Sequence, residues 1–599
     1  MYENTNDASV KLKFFGLPKL RPFLHPYRFI ICSMVIMGLV GSLMDIVTPL
    51  FFSYALDHFI MKETLEGLGA FIGLYIAAII ISVLTNAVSA YQACQIEMYV
   101  GRDMKQKSFD HLQTLSFSYY NQNSVGYIHA RVMSDTERIG GWVAWGIMEC
   151  VWNMTYLGGI IIVMLHLNLR LAMLILLLVP VTTAAAVYFQ RRMVALGRKV
   201  REINSIITGG YNEGITGART IKTLVIEDKM QSGFEKVTEE MRKTSVHLAH
   251  FRAMFLAVIS FSASCALALV LWQGGVITKA GVMEIGVLSV FMSYALGMME
   301  PIQWIIRALS DLVNVQVNIE RFTRLMATAA EVGDTPEVVE KYGDSFSPKK
   351  ENWEPLFGDV EFRDVSFHYP DGEEMIFEHF SLNVPQGTNV AIVGETGAGK
   401  STLVNLLCRF FEPTGGQILI DGRDVRERSQ LWLHSHLGYV IQTPHLFSGT
   451  IAENLRYAKP DATMEEMEAA MKAVAADSIP ERMEDGYDSQ VGEGGDLLST
   501  GEKQLISFAR AVLADPAIFV LDEATSSIDT VTEKKIQDAT AYLLKGRTSF
   551  VIAHRLSTIR QADVILMVDG GKIVERGTHE ELMAERGAYY ELYIRSYKG

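Results

Sequence analysis

The sequence has few cysteines and little positive charge, and both shortages exclude classes of protein. Its five cysteines show no CxxC or Cys/His spacing, so we expect neither a disulfide framework nor a zinc site. Lys and Arg total 54 against 68 Asp and Glu, giving a net charge of −14. That balance argues against nucleic acid as a partner, because phosphate binding needs clustered Lys and Arg. The first 27 residues lack an apolar core with a cleavage site, so no cleavable signal peptide is expected.

Long apolar stretches are what the sequence does have. The hydrophobic fraction is 49% over 599 residues, which favours a membrane protein with several domains. A membrane span needs about 20 largely apolar residues. We predict six spans, at about 29–56, 68–90, 142–165, 171–188, 254–276 and 285–306.

The links between the spans are uneven in length and in charge. Those after the second and fourth spans are about fifty to sixty residues long and carry far more Lys and Arg than the short links do. Residues 92–115 and 191–207 have a polar, helical pattern and are predicted to continue the spans beyond the bilayer. The positive-inside rule places these links in the cytosol. We therefore expect a multi-pass protein of the cytoplasmic (plasma) membrane, with both termini in the cytosol.

A P-loop lies in the second half of the chain. The apolar strand 389–393 runs into Gly-Glu-Thr-Gly-Ala-Gly-Lys-Ser-Thr, which opens a helix. In this context backbone N–H groups and the helix N-terminus bind the phosphates of ATP, while the Lys reaches the β- and γ-phosphates and the Ser ligates Mg²⁺. The predicted ATP-binding residues are Gly394, Glu395, Thr396, Gly397, Ala398, Gly399, Lys400, Ser401 and Thr402.

Two further apolar strands end in residues with catalytic chemistry. Strand 517–521 ends in Asp522, predicted to hold Mg²⁺, and Glu523, predicted to polarise the attacking water. Strand 549–552 delivers His554, which could reach the γ-phosphate. The fold class is thus an α-helical membrane domain followed by an α/β P-loop ATPase domain. We divide the chain into a transmembrane domain at 1–326, a linker at 327–356 and a nucleotide-binding domain at 357–599.

The order of these motifs resembles the ATP-binding cassette, and the six spans with long cytoplasmic extensions resemble an exporter half-transporter. The resemblance implies that Tyr369 stacks on adenine and that Gln442, ending a strand, senses Mg²⁺. It implies coupling helices near 118–126 and 211–217. It also implies that two cassettes sandwich ATP, each P-loop facing the partner's signature. The signature residues acting in trans are Ser499, Gly501 and Glu502.

The signature departs from the family's Leu-Ser-Gly-Gly-Gln. This chain has Leu-Ser-Thr-Gly-Glu from Leu498 to Glu502, although its own catalytic set is intact. Glu502 puts a charge near an anionic nucleotide, and Gly494 stands where the family has Arg. The pattern resembles the subunit of heterodimeric multidrug-type exporters that keeps the catalytic glutamate. Its partner would have an intact signature and a degenerate acidic strand; a homodimer that tolerates the variant signature is the alternative.

Polar groups within the spans are candidates for a substrate cavity, because such groups are costly there. Asp45, Glu149, Glu300 and Trp304 lie in spans rich in Met and aromatic residues, which suits small amphipathic compounds. Helix packing explains Asp45 and Glu300 equally well. Lipid flipping, an ATP-gated channel or regulator, and a peptide exporter stay open as alternatives; the last would require an N-terminal protease domain, and only about 27 residues precede the first span.

Overall fold

The computed structural model describes residues 13–370, 372, 374–522, 530–553 and 555–597. The chain divides into two units. One comprises Met1–His111 with Val125–Ala327, and the other comprises Leu112–Ser124 with Thr328–Gly599. The second unit therefore contains a short segment from between the second and third spans as well as the carboxyl-terminal half.

The described part of the chain contains six helices that are long and apolar enough to cross a membrane, as predicted. Two short helices, α3 and α6, lie between them in sequence, and α3 belongs to the second unit. In chain order the helices are α1 (Gly16–Ile60), α2 (Leu68–Thr114), α3 (Phe117–Gln122), α4 (Val125–Leu167), α5 (Leu169–Thr216), α6 (Ala218–Leu224), α7 (Glu227–Lys279) and α8 (Ile285–Ala327).

Helices α2 and α5 are far longer than a bilayer requires. They have 47 and 48 residues, which at about 1.5 Å per residue is roughly 70 Å, against a hydrocarbon core of about 30 Å. The prediction that residues 92–115 and 191–207 continue the spans is confirmed.

Several helices change their winding along their length. Turns with π-helical hydrogen bonding occur at the end of α1, twice within α4 and once within α7. Helix α8 is interrupted at Met298, between Ile285–Gly297 and Met299–Ala327. Pro301 explains this interruption, because it has no N–H to donate to the carbonyl of Gly297 one turn earlier.

The short helices next to the long ones correspond only in part to the predicted coupling helices. Helix α3 overlaps the first predicted segment, 118–126. The second prediction is wrong in position, because residues 211–217 form the last turns of α5 and the residue that caps it. Gly217, with φ −87° and ψ 5°, ends α5, and the separate short helix is α6.

The second unit contains two sheets. An antiparallel sheet has the order β2-β1-β4-β5, and a six-stranded sheet has the order β10-β9-β3-β8-β7-β6, parallel except for β10. The strands are β1 (Val360–His368), β2 (Met375–Val384), β3 (Asn389–Val393), β4 (Gly415–Ile420), β5 (Arg423–Asp424), β6 (Leu437–Val440), β7 (Ile518–Asp522), β8 (Thr548–Ile552), β9 (Val564–Asp569) and β10 (Lys572–Gly577).

Helices cover the six-stranded sheet, which explains why β3, β7 and β8 are nearly continuous apolar runs with both faces buried. The helices are α9 (Pro336–Tyr342), α10 (Lys400–Leu407), α11 (Gln430–Ser435), α12 (Ile451–Arg456), α13 (Met464–Ala473), α14 (Ser478–Arg482), α15 (Thr500–Ala514), α16 (Thr530–Leu544), α17 (Leu556–Arg560), α18 (His579–Glu585) and α19 (Ala588–Tyr597).

The predicted linker segment contains structure of its own. Helix α9 lies within 327–356, and its Val338 and Tyr342 are buried in the same apolar cluster as the strands of the four-stranded sheet. Trp432 Nε1 donates to the carbonyl of Glu354 at 2.7 Å, which ties the end of this segment to α11. The domain boundaries given above stay a prediction.

Candidate functional site

Parallel strands bring the predicted nucleotide-binding segments to one edge of the six-stranded sheet. In the register of the sheet, Ile392 of β3 lies beside Ile552 of β8, and Ile552 lies beside Asp522 of β7. On the other side of β7, Leu521 pairs with Val440 of β6. The loops that leave the carboxyl ends of these strands therefore start next to one another, which is where α/β sheets bind ligands.

The P-loop needs glycine at the positions where glycine occurs. Gly394, Gly397 and Gly399 have φ of 158°, 89° and 102°. A Cβ at Gly394 would lie 2.2 Å from the carbonyl oxygen of Val568, and one at Gly399 would lie 3.2 Å from the ring of Phe377. The loop backbone is thus held close to its surroundings with its N–H groups free of flanking side chains, as a phosphate-binding loop requires.

The lysine of the P-loop lies inside the loop. Lys400 is 8% exposed, and its Nζ donates to the carbonyl oxygens of Gly394 and Glu395, both at 2.8 Å. Burial lowers the pKa of Lys400, and the negative charge of Asp522 acts in the opposite direction. The hydroxyl-bearing Ser401 follows directly on α10 as an exposed residue.

Tyr369 is connected to the same helix. Its hydroxyl shares a hydrogen bond of 2.9 Å with Thr402 Oγ1, and its ring lies edge-on to Phe367 and Phe411, with centroids 5.1 Å away in each case. The ring is half-buried and fixed relative to α10. Its predicted stacking on adenine stays a prediction.

The structure describes two of the remaining predicted catalytic and Mg²⁺-binding residues, Gln442 and Asp522. β6 ends at Val440, so Gln442 lies in an exposed bend two residues beyond the strand rather than at its end. Asp522 is the last residue of β7. Glu523 and His554 lie outside the described residues.

The signature segment starts a helix. Ser499 is the N-cap of α15, and it forms a capping box with Glu502. Glu502 Oε2 accepts hydrogen bonds from the backbone N–H and the hydroxyl of Ser499, both at 2.9 Å. In return, Ser499 Oγ accepts from the N–H of Glu502 at 3.4 Å. Gly501 is buried on the first turn.

An arginine that the sequence analysis missed holds the other oxygen of Glu502. Arg482 Nη2 lies 2.5 Å from Glu502 Oε1, and the Glu502 side chain is 16% exposed. Burial raises the pKa of Glu502, but the hydrogen bonds from Ser499 and Arg482 outweigh it, so the pKa lies below its usual value. The Ser-x-x-Glu spacing could have predicted the capping box. The arginine, twenty residues earlier, gave no such signal.

A lysine contacts the loop in which Gly494 replaces the family's arginine. Lys503 Nζ donates to the carbonyl of Gly494 at 3.0 Å. Gly492 and Gly494 have φ of 80° and 61°, so this loop uses the left-handed region that favours glycine. An arginine at position 494 would have a strained backbone. Lys503 instead places a positive charge at this loop.

Within the membrane unit, two carboxylates accept hydrogen bonds from tryptophan indoles. Asp45 accepts from Trp152 Nε1 at 3.1 Å and from Ser82 Oγ at 2.9 Å. The indole of Trp304 donates to Glu149. The structure thus pairs two of the predicted polar residues, Trp304 and Glu149, and leaves Glu300 as an exposed residue on α8.

Two family descriptions match the chain. Residues 30–302 match the ABC transporter transmembrane region, and residues 377–526 match the ABC transporter family. The probable multidrug resistance ABC transporter ATP-binding/permease protein YheH of Bacillus subtilis is 37% identical over 535 residues, covering 89% of this chain and 77% of that protein. An ATP-dependent lipid A-core flippase of Desulfotalea psychrophila is 34% identical over 492 residues, covering 82% of this chain and 84% of that protein.

The chain belongs to the ABC transporters. It is an exporter half-transporter with a helical membrane domain and an ATPase domain whose activity is coupled to transport. The six apolar helices make this ABC transporter a multi-pass membrane protein. Its ATPase domain binds ATP, and half-transporters of this kind work as dimers.

Proposed function

We propose that this ABC transporter is one subunit of a heterodimeric exporter, the subunit that keeps the catalytic glutamate. The observation that supports this most directly is the engaged signature. The carboxylate of Glu502 occupies the N-terminus of α15 and hydrogen-bonds to the hydroxyl of Ser499, the group that would donate to the γ-phosphate bound by a partner. A signature engaged in this way favours weak binding of the nucleotide held by the partner's P-loop. The active site, formed by this chain's own P-loop, would then need the signature of a non-identical chain.

The residues of this chain would form most of the active site. The P-loop N–H groups and Lys400 bind the phosphates, and Tyr369 stacks on the base. Ser401, Gln442 and Asp522 would hold Mg²⁺, which would neutralise phosphate charge when bound. The oxygen donors of these three side chains suit this cation, and Asp522 ends the strand β7 at the sheet edge where the P-loop begins.

Hydrolysis itself would depend on two residues beyond the ends of β7 and β8. Glu523 orients the attacking water and draws its proton, and His554 contacts the γ-phosphate. Binding of ATP closes the two cassettes and turns the spans outward, and hydrolysis resets them. This scheme places the ATPase domain and both termini in the cytosol.

The proposed cargo is a small amphipathic molecule or a lipid. The name of the Bacillus subtilis relative refers to multidrug resistance, and that of the Desulfotalea psychrophila relative refers to flipping of lipid A-core. Asp45, Glu300 and Trp304 are the cavity residues we propose, and the indole bonds to Asp45 and Glu149 support a polar lining among apolar helices.

The deciding experiment is Glu523→Gln in the purified complex, with the subunits of the same sample identified by mass spectrometry. We expect near-complete loss of ATP hydrolysis and a second, non-identical subunit whose acidic strand lacks the glutamate. Retention of most activity would remove Glu523 from the mechanism. A homodimer that hydrolyses ATP at two equivalent sites would contradict the heterodimer.

A homodimeric lipid flippase is the second candidate, and the identity to the lipid A-core flippase favours it. Proteoliposomes separate the alternatives. ATP-driven movement of a fluorescent lipid between leaflets would indicate a flippase, and uptake of a soluble amphipathic cation would indicate a multidrug exporter. ATP-dependent ion conductance without either movement would indicate a channel or regulator.

A further inference from the structure

A fully buried arginine with two ionic partners lies just beyond the P-loop helix. Arg409 lies two residues beyond the end of α10, and its side chain is 1% exposed. Its Nε and Nη2 donate to Glu412 Oε1 at 3.1 and 3.0 Å, and its Nη1 donates to the carbonyl of Arg428 at 2.9 Å. A charge this deeply buried needs such partners.

The same guanidinium holds the chain that arrives from the last span. Arg409 Nη1 donates to Asp334 Oδ1 at 2.7 Å, and Nη2 donates to the carbonyl of Gly333 at 3.3 Å. Asp334 also accepts from the backbone N–H of Gln430, and the Gln430 amide donates to the carbonyl of Arg409 at 3.2 Å. Residues 333–334 follow α8 by only a few positions, so this part of the connection is fixed to the end of α10.

Arg409 has a backbone conformation that usually requires glycine. Its φ is +53°, the left-handed conformation. The N–H of Arg409 bonds to the carbonyl of Leu406, and the N–H of Phe410 bonds to that of Asn405. This is the Schellman pattern, in which glycine is the usual residue at the position of Arg409. An arginine in this strained conformation indicates that its side chain has a role, because glycine would end the helix without strain.

The next residue contacts the other connection to the membrane domain. The ring of Phe410 stacks on Phe117 of α3, with centroids 5.1 Å apart and planes 25° apart. His434 and Tyr439 enclose the same ring, at 5.5 and 5.6 Å. Helix α3 joins α2 to α4 in sequence, so Phe410 fixes the link between the second and third spans within the second unit.

We propose that Arg409 and Phe410 are positioning residues that transmit movement of the P-loop helix to both of these connections. Helix α10 has eight residues, about 12 Å, with Lys400 at its first turn and this pair just beyond its end. Both residues lie beyond the P-loop and outside the nucleotide-binding residues predicted above. The inference rests on ATP-driven transport by this family and not on the heterodimer.

The test uses the purified full-length transporter in phosphatidylethanolamine–phosphatidylglycerol nanodiscs. Spin labels are placed at Leu65 and Val282, which are 77% and 75% exposed in the short loops of the membrane unit. The exposed and half-exposed native cysteines are replaced, and the buried Cys408 stays. The label distance is measured with and without ATP plus vanadate, and binding of a fluorescent ATP analogue is measured on the same samples.

Asp334→Asn and Phe117→Ala are the informative variants. Asp334→Asn keeps the shape and an acceptor oxygen but removes the charge. We expect both variants to bind the nucleotide within about twofold of the parent. The fraction of transporters whose label distance changes on adding nucleotide should fall at least threefold.

Arg409→Gly and Arg586→Gly form a matched pair. Both arginines follow a helix end with positive φ, 53° and 57°, but Arg586 is exposed. We expect switching to be lost in Arg409→Gly and kept in Arg586→Gly. If Arg409→Gly does not fold, Asp334→Asn and Phe117→Ala decide.

Normal switching in Asp334→Asn and Phe117→Ala, with only a lower melting temperature, overturns the proposal, because it leaves a purely structural role. A finding that the transporter is a homodimer changes the number of labels per particle. It does not change the comparison of these variants with the parent, so failure of the heterodimer is distinguishable from failure of this inference.

Discussion

The hydroxyl of Ser499 lies 2.9 Å from Glu502 Oε2 and donates to it, so the signature serine is hydrogen-bonded within its own helix. A carboxylate at a helix N-terminus also satisfies the partial positive charge of the helix dipole. The Ser499 hydroxyl and the positive N-terminus of α15 are the two groups that a partner's γ-phosphate would use. Both already interact with the carboxylate of Glu502. The Arg482 contact holds the carboxylate in that position.

We predict that Glu502→Gln strengthens nucleotide binding at the site that uses this signature. The amide keeps the capping geometry and removes the negative charge, an effect of about 1 kcal/mol, or roughly fivefold in affinity. The measurement is the release rate of occluded ATP from the complex, in a Glu523→Gln background that blocks hydrolysis.

Glu466→Gln is the control for that experiment. Glu466 forms the same capping box with Thr463 on α13 and pairs with Lys459 at 2.6 Å, but it belongs to no nucleotide motif. Its release rate should equal that of the parent. Equal release rates for Glu502→Gln and Glu466→Gln would show that the carboxylate does not weaken the site.

The Glu502 contacts also predict a pH dependence of stability. Because the folded pKa of Glu502 lies below its usual value of about 4.3, its ionised form stabilises the protein above that pH, and this stabilisation is lost as pH falls below it. Glu502→Gln should therefore melt at a lower temperature than the parent at pH 7, with the difference shrinking below about pH 4.3. A difference that is constant from pH 7 to pH 3.5 would contradict the ionic contribution.

Tyr369→Phe and Tyr369→Ala separate two roles of that side chain. The Phe variant loses the hydrogen bond to Thr402 and keeps the ring, so we expect ATP affinity within about fivefold of the parent, for a bond contributing about 0.5–1 kcal/mol. The Ala variant loses the stacking surface as well, about 1–3 kcal/mol, and should bind at least tenfold more weakly. Tyr542→Ala, on an exposed ring of α16, is the control. Equal affinities for the Ala variant and the parent would exclude stacking.

The sequence predicted those features that follow from local pattern. Apolar length fixed the six spans, because a bilayer sets that length, and the parallel strands brought Gly394 and Asp522 to one edge as their motifs required. Gly217 shows the limit of local pattern. It stops a helix whose polar sequence would otherwise continue, so the short helix was placed one segment too early.

Contacts between distant residues could not be predicted. Arg409 and Asp334 are 75 residues apart, and Arg482 and Glu502 are 20 apart. Neither pair leaves a spacing signal, because tertiary packing alone brings the charges together. The left-handed backbone of Arg409 could not be predicted either, because a helix end of this kind is usually recognised by a glycine and this chain has an arginine there.

In the membrane unit, we predict that Trp152→Phe destabilises the protein more than the same change at an exposed tryptophan. The variant keeps a ring that can stack on Tyr156 but removes the donor to half-buried Asp45, which costs about 1–3 kcal/mol. Trp272→Phe is the matched control, because Trp272 is 66% exposed on α7. Thermal unfolding in the same detergent should give a lower melting temperature for Trp152→Phe alone. Equal melting temperatures would mean that the indole bond contributes nothing to stability, and a polar lining around Asp45 would then lose its structural support.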